Sequence, residues 1–163
     1  MRPDNEVILY RLLLAVFIGM FLGVERERSL KPAGVRTHVL VCLNACIISI
    51  ISAYGFQGLE TPSDPARLIV GVLQGMGFLG AGIIWRNTSG GVMGITTAAE
   101  VFLLTTLGIG CGLGLYFLTA VSALLTYFTL ISPKIYTFTY GKHKKTKTTI
   151  SGARTASTQR DTP

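Results

Sequence analysis

Five apolar segments follow one another along the chain, with short polar stretches between them. Each segment is close to the roughly 20 residues that a helix needs to cross a hydrocarbon core about 30 Å thick. The pattern therefore predicts an all-α membrane protein, a bundle of about five transmembrane helices. The predicted spans cover residues 7–24, 39–56, 68–85, 94–110 and 112–131.

The change from apolar to polar composition near the C-terminus gives the predicted domain boundary. Residues 1–135 are expected to form the membrane domain. Residues 136–163 are rich in Lys, Thr and Ser and lack an apolar face, which is typical of a disordered tail. The basic cluster Lys142–Lys147 suits anionic headgroups, so membrane lipids are expected partners.

The distribution of charge predicts the orientation. Charged residues make up 14% of the chain, against about 25% in soluble domains. The net charge of +7 could indicate nucleic-acid binding. With the N-terminus outside, however, twelve Lys and Arg side chains fall on the cytoplasmic side and two on the outer side. This bias predicts an N-out, C-in protein without a nucleic-acid partner.

A dense charged segment follows the first span, where it must lie at a membrane interface. One interpretation is a salt-bridge cluster that anchors the end of the helix, and the other is a docking surface for a partner. The candidate residues of this segment are Glu25, Arg26, Glu27, Arg28, Arg36, Thr37 and His38.

Glu100 lies about six residues into the fourth span. A carboxylate at membrane depth is a functional-site hypothesis by default, and its candidate partners are His38, Arg36 and Arg26. The alternative is a structural ion pair, or a protonated carboxyl with one hydrogen bond. Other polar residues at membrane depth predict either interhelical hydrogen bonds or a polar path: Asn44, Gln74, Thr96 and Thr97.

Residues 75–80 match the dinucleotide pattern G-x-G-x-x-G. That motif requires a preceding strand in an α/β unit, and here it lies inside an apolar run. We interpret Gly75, Gly77 and Gly80 as small residues for close helix packing. Gly71 and Gly75 have the spacing of a dimerisation motif. Packing within the chain is favoured over a seam between two copies, and a homo-oligomer stays open.

For two further charged residues, Arg11 and Asp64, a structural role is the favoured interpretation. Arg11, near the outer end of the first span, is expected to extend to the outer headgroups or to pair with Glu60 or Asp64. Asp64 is expected to cap the third helix, with Pro65 as its first residue. The alternative is a cation site formed with Glu60, although two acids are a weak magnesium signal.

No pattern in the sequence predicts catalysis. There is no phosphate-binding loop, phosphorylation signature or nucleophile elbow. Cys42, Cys46 and Cys111 lack the spacing of a metal site and are expected to be buried apolar residues. We therefore expect neither enzymatic activity nor a cofactor. Asp64 and Glu100 are the weak candidates for a metal.

The sequence resembles the MgtC/SapB family of membrane proteins from about Leu12 to Leu115. Five motifs in the same order make the match specific. They lie at residues 23–28, 31–38, 64–67, 75–82 and 94–99.

The resemblance implies a bacterial inner-membrane protein associated with magnesium limitation and, in pathogens, with survival in host cells. Family members are often labelled magnesium transporters, but the MgtC branch implies regulation of other membrane machines, notably the proton-driven ATP synthase. The expected function is a non-enzymatic modulator linked to magnesium homeostasis, with another membrane complex as partner. The alternatives are a magnesium or other cation transporter or channel, and an accessory subunit of a transport ATPase.

The chain departs from the MgtC pattern in two places. MgtC itself carries a soluble C-terminal domain, whereas this chain has a short basic tail and is closer to the SapB form. Glu100 occupies a position where a small or uncharged residue is more usual. This departure implies either a specialised function or a structural solution particular to this chain.

Overall fold

The computed structural model describes residues 3–56, 64–86 and 91–132. Within these ranges the chain is a helical bundle, which confirms the predicted fold class. Four helices are long and apolar enough to cross a membrane, and the fifth is apolar but shorter. The predicted tail, residues 136–163, lies outside the described ranges. The helices are α1 (Asn5–Arg28), α2 (Val35–Tyr54), α3 (Ala66–Ile83), α4 (Ile95–Leu113) and α5 (Tyr116–Ser132).

The ends of the helices differ from those of the predicted spans by one to four residues. Helix α1 continues to Arg28, and α2 already begins at Val35. The predictions placed these ends where the apolar run stops, but backbone hydrogen bonding continues through the polar residues beyond it. The charged segment is therefore partly helical, and its side chains have fixed directions.

A short hairpin, which the sequence pattern did not predict, joins α3 to α4. Strands β1 (Trp85–Arg86) and β2 (Val92–Met93) pair antiparallel, with Trp85 opposite Met93. Gly94 follows at φ +88°, and a side chain there would contact the carbonyl oxygen of Ile83. Only glycine suits this position, so Gly94 fixes where α4 begins.

Helices α1 and α2 pack so closely that their backbones are in contact. A Cβ atom at Gly19 would lie 2.7 Å from the Cα of Val39, and one at Gly23 would lie 2.7 Å from the Cα of Val35. Two glycines spaced by four residues therefore form the flat surface that receives α2.

A second pair of glycines brings α4 equally close to α2. A Cβ atom at Gly108 would contact the carbonyl oxygen of Cys42, and one at Gly112 would lie 2.5 Å from that of Cys46. The cysteines of the chain are buried and free, in agreement with their predicted role as small apolar residues. The middle of the bundle is therefore formed by α1, α2 and α4.

Burial differs strongly between the helices. In the 18-residue apolar window of α4, 61% of the residues are buried, against 6% in that of α3. The fourth span, the shortest and most polar of the predicted five, is thus the central helix.

The chain divides into two compact units, Met1–Thr126 and Tyr127–Pro163. The first unit contains α1 to α4, the hairpin and most of α5. The second is described over residues 127–132, the end of α5, where the rings of Tyr127 and Phe128 meet edge to face.

Candidate functional site

Three helix ends in the first unit meet around the carboxylate of Glu100. Arg26, near the end of α1, places its Nε 2.6 Å from Oε2 of Glu100. His38, in the first turns of α2, places its Nε2 3.2 Å from Oε1. We call Glu25, Arg26, His38, Thr97 and Glu100 the buried charge cluster.

The guanidinium of Arg26 connects the remaining members of the cluster. Its Nη2 donates a hydrogen bond to Oγ1 of Thr97 over 2.9 Å, and its Nη1 lies 3.7 Å from Oε2 of Glu25. Oε1 of Glu25 in turn accepts a hydrogen bond of 2.8 Å from the hydroxyl of Ser29. One arginine thereby links α1 to two positions of α4.

Helical spacing explains how the local sequence builds this arrangement. Thr97 and Glu100 are three residues apart on α4, which places both on one face. His38 lies four residues after Gly34, and its Nδ1 is 2.9 Å from the Gly34 carbonyl oxygen. A Cβ atom at Gly23 would lie 3.0 Å from the Cβ of His38, so close packing against α1 directs the ring towards α4.

The buried charge cluster is shielded from solvent. The side chain of His38 is 0% exposed, that of Glu100 2% and that of Arg26 5%. Among the described residues, neither oxygen of Glu100 has an aligned hydrogen-bond donor, so the carboxylate is held by opposite charge at short range. Buried charges require such pairing. The cluster can balance charge or hold a proton.

Other candidates of the charged segment lie outside the cluster. Glu27 accepts a hydrogen bond of 3.0 Å from the backbone N–H of Val35 and thus braces the turn between α1 and α2. Arg36 is exposed, so the sequence-based suggestion that it pairs with Glu100 is wrong. The other exposed candidates are Arg28, Thr37 and Thr96.

Asp64 lies next to the start of α3, but the N-cap residue is Pro65 and not Asp64 as predicted. Oδ1 of Asp64 accepts a hydrogen bond of 2.9 Å from the N–H of Ala66, and Pro65 precedes the helix instead of being its first residue. Glu60, its suggested partner in a cation site, lies outside the described residues. The described part of the chain contains no group of three or more potential metal ligands.

The glycines of α3 face away from the chain. Within the described residues, a Cβ atom at Gly71, Gly75, Gly77 or Gly82 would meet nothing within 4 Å, whereas one at Gly80 would lie 3.9 Å from the Cβ of Ala98. The favoured prediction, packing within the chain, is therefore wrong for this stripe. The reason is that α3 contributes little to the core, since Met76 is its one buried residue. We call Gly71, Gly75, Phe78 and Gly82, which lie on one side of α3 by helical spacing, the open α3 face.

Sequence reasoning missed the environment of Arg11. This side chain is buried, and its Nη1 donates a 2.6 Å hydrogen bond to the carbonyl oxygen of Gly112. Tyr54 and Tyr116 accept longer bonds of 3.4 and 3.3 Å. In the described part of the chain Arg11 is directed into the bundle and does not pair with Asp64, while Glu60, the other predicted partner, lies outside that part. The one feature of the sequence that could have indicated this buried environment was the position of an arginine inside an apolar span.

Two other polar residues predicted to bond between helices do not point inwards. Asn44 and Gln74 are exposed on α2 and α3. Of the four such residues, Thr97 is the one that forms an interhelical hydrogen bond in the described ranges. A polar path through the bundle therefore does not extend from Glu100 along these positions.

Comparison with known proteins places the chain among multi-pass membrane proteins. Residues 12–137 match the model of a family described as the MgtC family. An uncharacterised protein of Haemophilus influenzae is 31% identical over 153 residues, which cover 90% of this chain and 64% of that protein. The protein SapB of Bacillus subtilis is 38% identical over 118 residues, 70% of this chain and 50% of SapB.

A third relative carries a functional name. YhiD of Escherichia coli, named as a candidate magnesium transporter, is 36% identical over 125 residues, 74% of this chain and 57% of YhiD. The chain thus spans about half to two thirds of the length of these three relatives. No solved structure matches the chain.

Proposed function

Because the chain belongs to the MgtC family, we propose that it is a non-enzymatic modulator in the bacterial inner membrane that serves magnesium homeostasis. It acts by helix contact with another membrane complex, such as ATP synthase. The link to magnesium is supported by the name of the relative YhiD. Since the chain covers only part of its relatives' length, their whole activity is carried over as part of this proposal.

The open α3 face is the observation that supports a modulator. Glycine in a membrane helix allows another helix to approach closely, and small residues are enriched at such contacts for that reason. In α1 and α4 the glycines receive α2, but in α3 four glycines have no neighbour within 4 Å in the part of the chain that the structure describes. A helix of a partner is the occupant that this surface suits.

The buried charge cluster supports the same proposal by its position. It ties together the ends of α1, α2 and α4, which form the middle of the bundle. The cluster thus has a structural role in holding the scaffold, and the scaffold presents α3. The exposed residues of the charged segment, such as Arg28 and Arg36, form the cytoplasmic anchor in the predicted orientation.

Transport of magnesium or another cation is the second candidate function, and an accessory subunit of a transport ATPase is the third. The observation that favours transport is Glu100, a carboxylate at membrane depth in a relative of a protein named as a candidate magnesium transporter. In that case Asp64 would be the outer residue and Glu100 an inner relay. Substitution of Glu100 by Gln would then remove flux.

ATP-driven proton pumping in inverted membrane vesicles tests the modulator proposal. Vesicles that contain the chain are expected to pump less than vesicles without it, and Gly75→Leu is expected to restore pumping because it fills the open α3 face. Leu118→Ala, an exposed change on α5, is the matched control and should behave as the parent chain. Equal pumping with and without the chain would contradict the choice of ATP synthase, and inhibition that survives Gly75→Leu would contradict the contact face.

A further inference from the structure

The imidazole of His38 lies between two groups that accept hydrogen bonds. Its Nδ1 is 2.9 Å from the carbonyl oxygen of Gly34, and its Nε2 is 3.2 Å from Oε1 of Glu100. A carbonyl oxygen and an ionised carboxylate only accept, whereas a neutral imidazole has one N–H and one bare nitrogen. A neutral histidine beside an ionised Glu100 therefore leaves one of the two contacts as a repulsion between lone pairs.

One additional proton makes both contacts favourable. In an imidazolium, Nδ1 donates its N–H to the carbonyl oxygen of Gly34 and Nε2 donates the second N–H to Glu100. Alternatively, Nε2 carries no proton and accepts a hydrogen bond from a protonated Glu100 carboxyl. Both arrangements contain the same number of protons, so the proton belongs to the His38–Glu100 pair and not to either residue alone.

The charged neighbours of the pair balance one another. Helix α1 contributes Arg26 and Glu25, one positive and one negative side chain 3.7 Å apart. Helix α4 contributes only the hydroxyl of Thr97, and residues 71–83 of α3 contain no ionisable side chain. Among the described residues, the buried charge cluster is neutral with the additional proton and carries one net negative charge without it.

Burial determines which of these two states is stable. A net charge that is shut away from water and unpaired is strongly unfavourable, and all four ionisable side chains of the cluster are at least nine-tenths buried. We propose that His38 and Glu100 form a proton-binding site within the membrane domain. The ligand of this site is a single proton. Arg26 holds Oε2 of Glu100, and the carbonyl oxygen of Gly34 fixes the orientation of the His38 ring. The inference stands independently of the proposed function.

Nitrogen-15 NMR of the full chain in lipid nanodiscs tests the site directly. The chain has two histidines, so His143→Gln leaves His38 as the single labelled reporter. At neutral pH we expect a protonated Nδ1 together with one of two signatures. The first signature is a protonated Nε2 of His38 in the NMR spectrum. The second is the band of a protonated Glu100 carboxyl in the infrared spectrum, identified by subtracting the spectrum of Glu100→Gln. A neutral imidazole without a protonated carboxyl would overturn the proposal.

Two variants show whether the proton belongs to this pair. In Glu100→Gln the cluster is neutral without the additional proton, so the imidazolium signal, or the carboxyl band, is expected to disappear. Asp64→Asn removes a carboxylate outside the cluster and is expected to leave the spectrum unchanged. Persistence of the proton signal in Glu100→Gln would place the proton elsewhere and overturn the assignment. The spectrum of the parent chain decides the matter by itself if Glu100→Gln does not fold.

Discussion

The Nε of Arg26 lies 2.6 Å from Oε2 of Glu100, and both side chains are buried. This ion pair joins the end of α1 to the first turns of α4. Its position is favourable for the arginine, because a positive charge near the C-terminal end of a helix interacts well with the helix dipole. The pair therefore stabilises the arrangement of the helices that form the middle of the bundle.

Removal of one partner from this ion pair is expected to destabilise the protein strongly. Glu100→Ala leaves a buried arginine without its carboxylate, and such losses typically cost about 3–5 kcal/mol. Arg26→Met also removes the partner of Glu25 and Thr97, so the double variant Arg26→Met/Glu100→Ala is expected to lose less stability than the sum of the two single losses. Thermal unfolding in detergent gives both values. A double variant whose loss equals the sum of the two single losses would contradict the coupling.

Glycines with the same spacing are expected to differ in their importance for stability. Gly108→Leu forces a side chain against the carbonyl oxygen of Cys42, whereas Gly71→Leu enters open space. Overpacking typically costs about 1–3 kcal/mol, so the first change should lower the unfolding temperature and the second should not. Equal effects of the two substitutions would mean that α3 packs within the chain after all.

The hydrogen bonds of Arg11 are expected to stabilise the opposite end of the bundle. Arg11→Met removes the donor for the Gly112 carbonyl oxygen and for the Tyr54 hydroxyl. Hydrogen bonds to charged groups contribute about 1.5–3 kcal/mol, and a measurable loss of thermal stability should follow. Arg28→Met, at an exposed position, is the matched control. If the two variants unfold at the same temperature, the contacts of Arg11 contribute nothing.

The predicted N-out, C-in orientation can be tested by cysteine labelling in intact cells. The native cysteines are buried and should not react with a membrane-impermeant maleimide. Cysteine introduced at exposed Asp64 should be labelled from outside, and cysteine at exposed Lys31 only after the cytoplasmic side is opened. The reverse pattern would mean that the positive-inside count misassigns the topology.

The five-helix fold could be predicted because it depends on the lengths of apolar runs. The partners of Glu100 could be narrowed to three side chains because they share one side of the membrane in the predicted topology. The choice of Arg26 and His38 over Arg36 could not be predicted. It depends on the rotation of α2, which Gly19 and Gly23 fix through backbone contact with that helix.

Other features had no usable signal in the sequence. The glycine spacing occurs in α1, α3 and α4, but spacing alone does not tell which pair faces a neighbour and which faces outwards. Strands of two residues are too short for an alternating pattern, so the hairpin at Trp85–Arg86 was missed. Arg11 finds its partners on α2, α4 and α5, and no local pattern predicts such a meeting of distant segments.

Magnesium flux into proteoliposomes that contain only this chain tests the central claim, a modulator rather than a transporter, most directly. An internal magnesium indicator and an imposed gradient give the rate, with empty vesicles and Glu100→Gln as comparisons. We predict that correctly folded protein produces no flux above that of empty vesicles. Flux above that level, lost in Glu100→Gln, would contradict the modulator and make the chain a transporter.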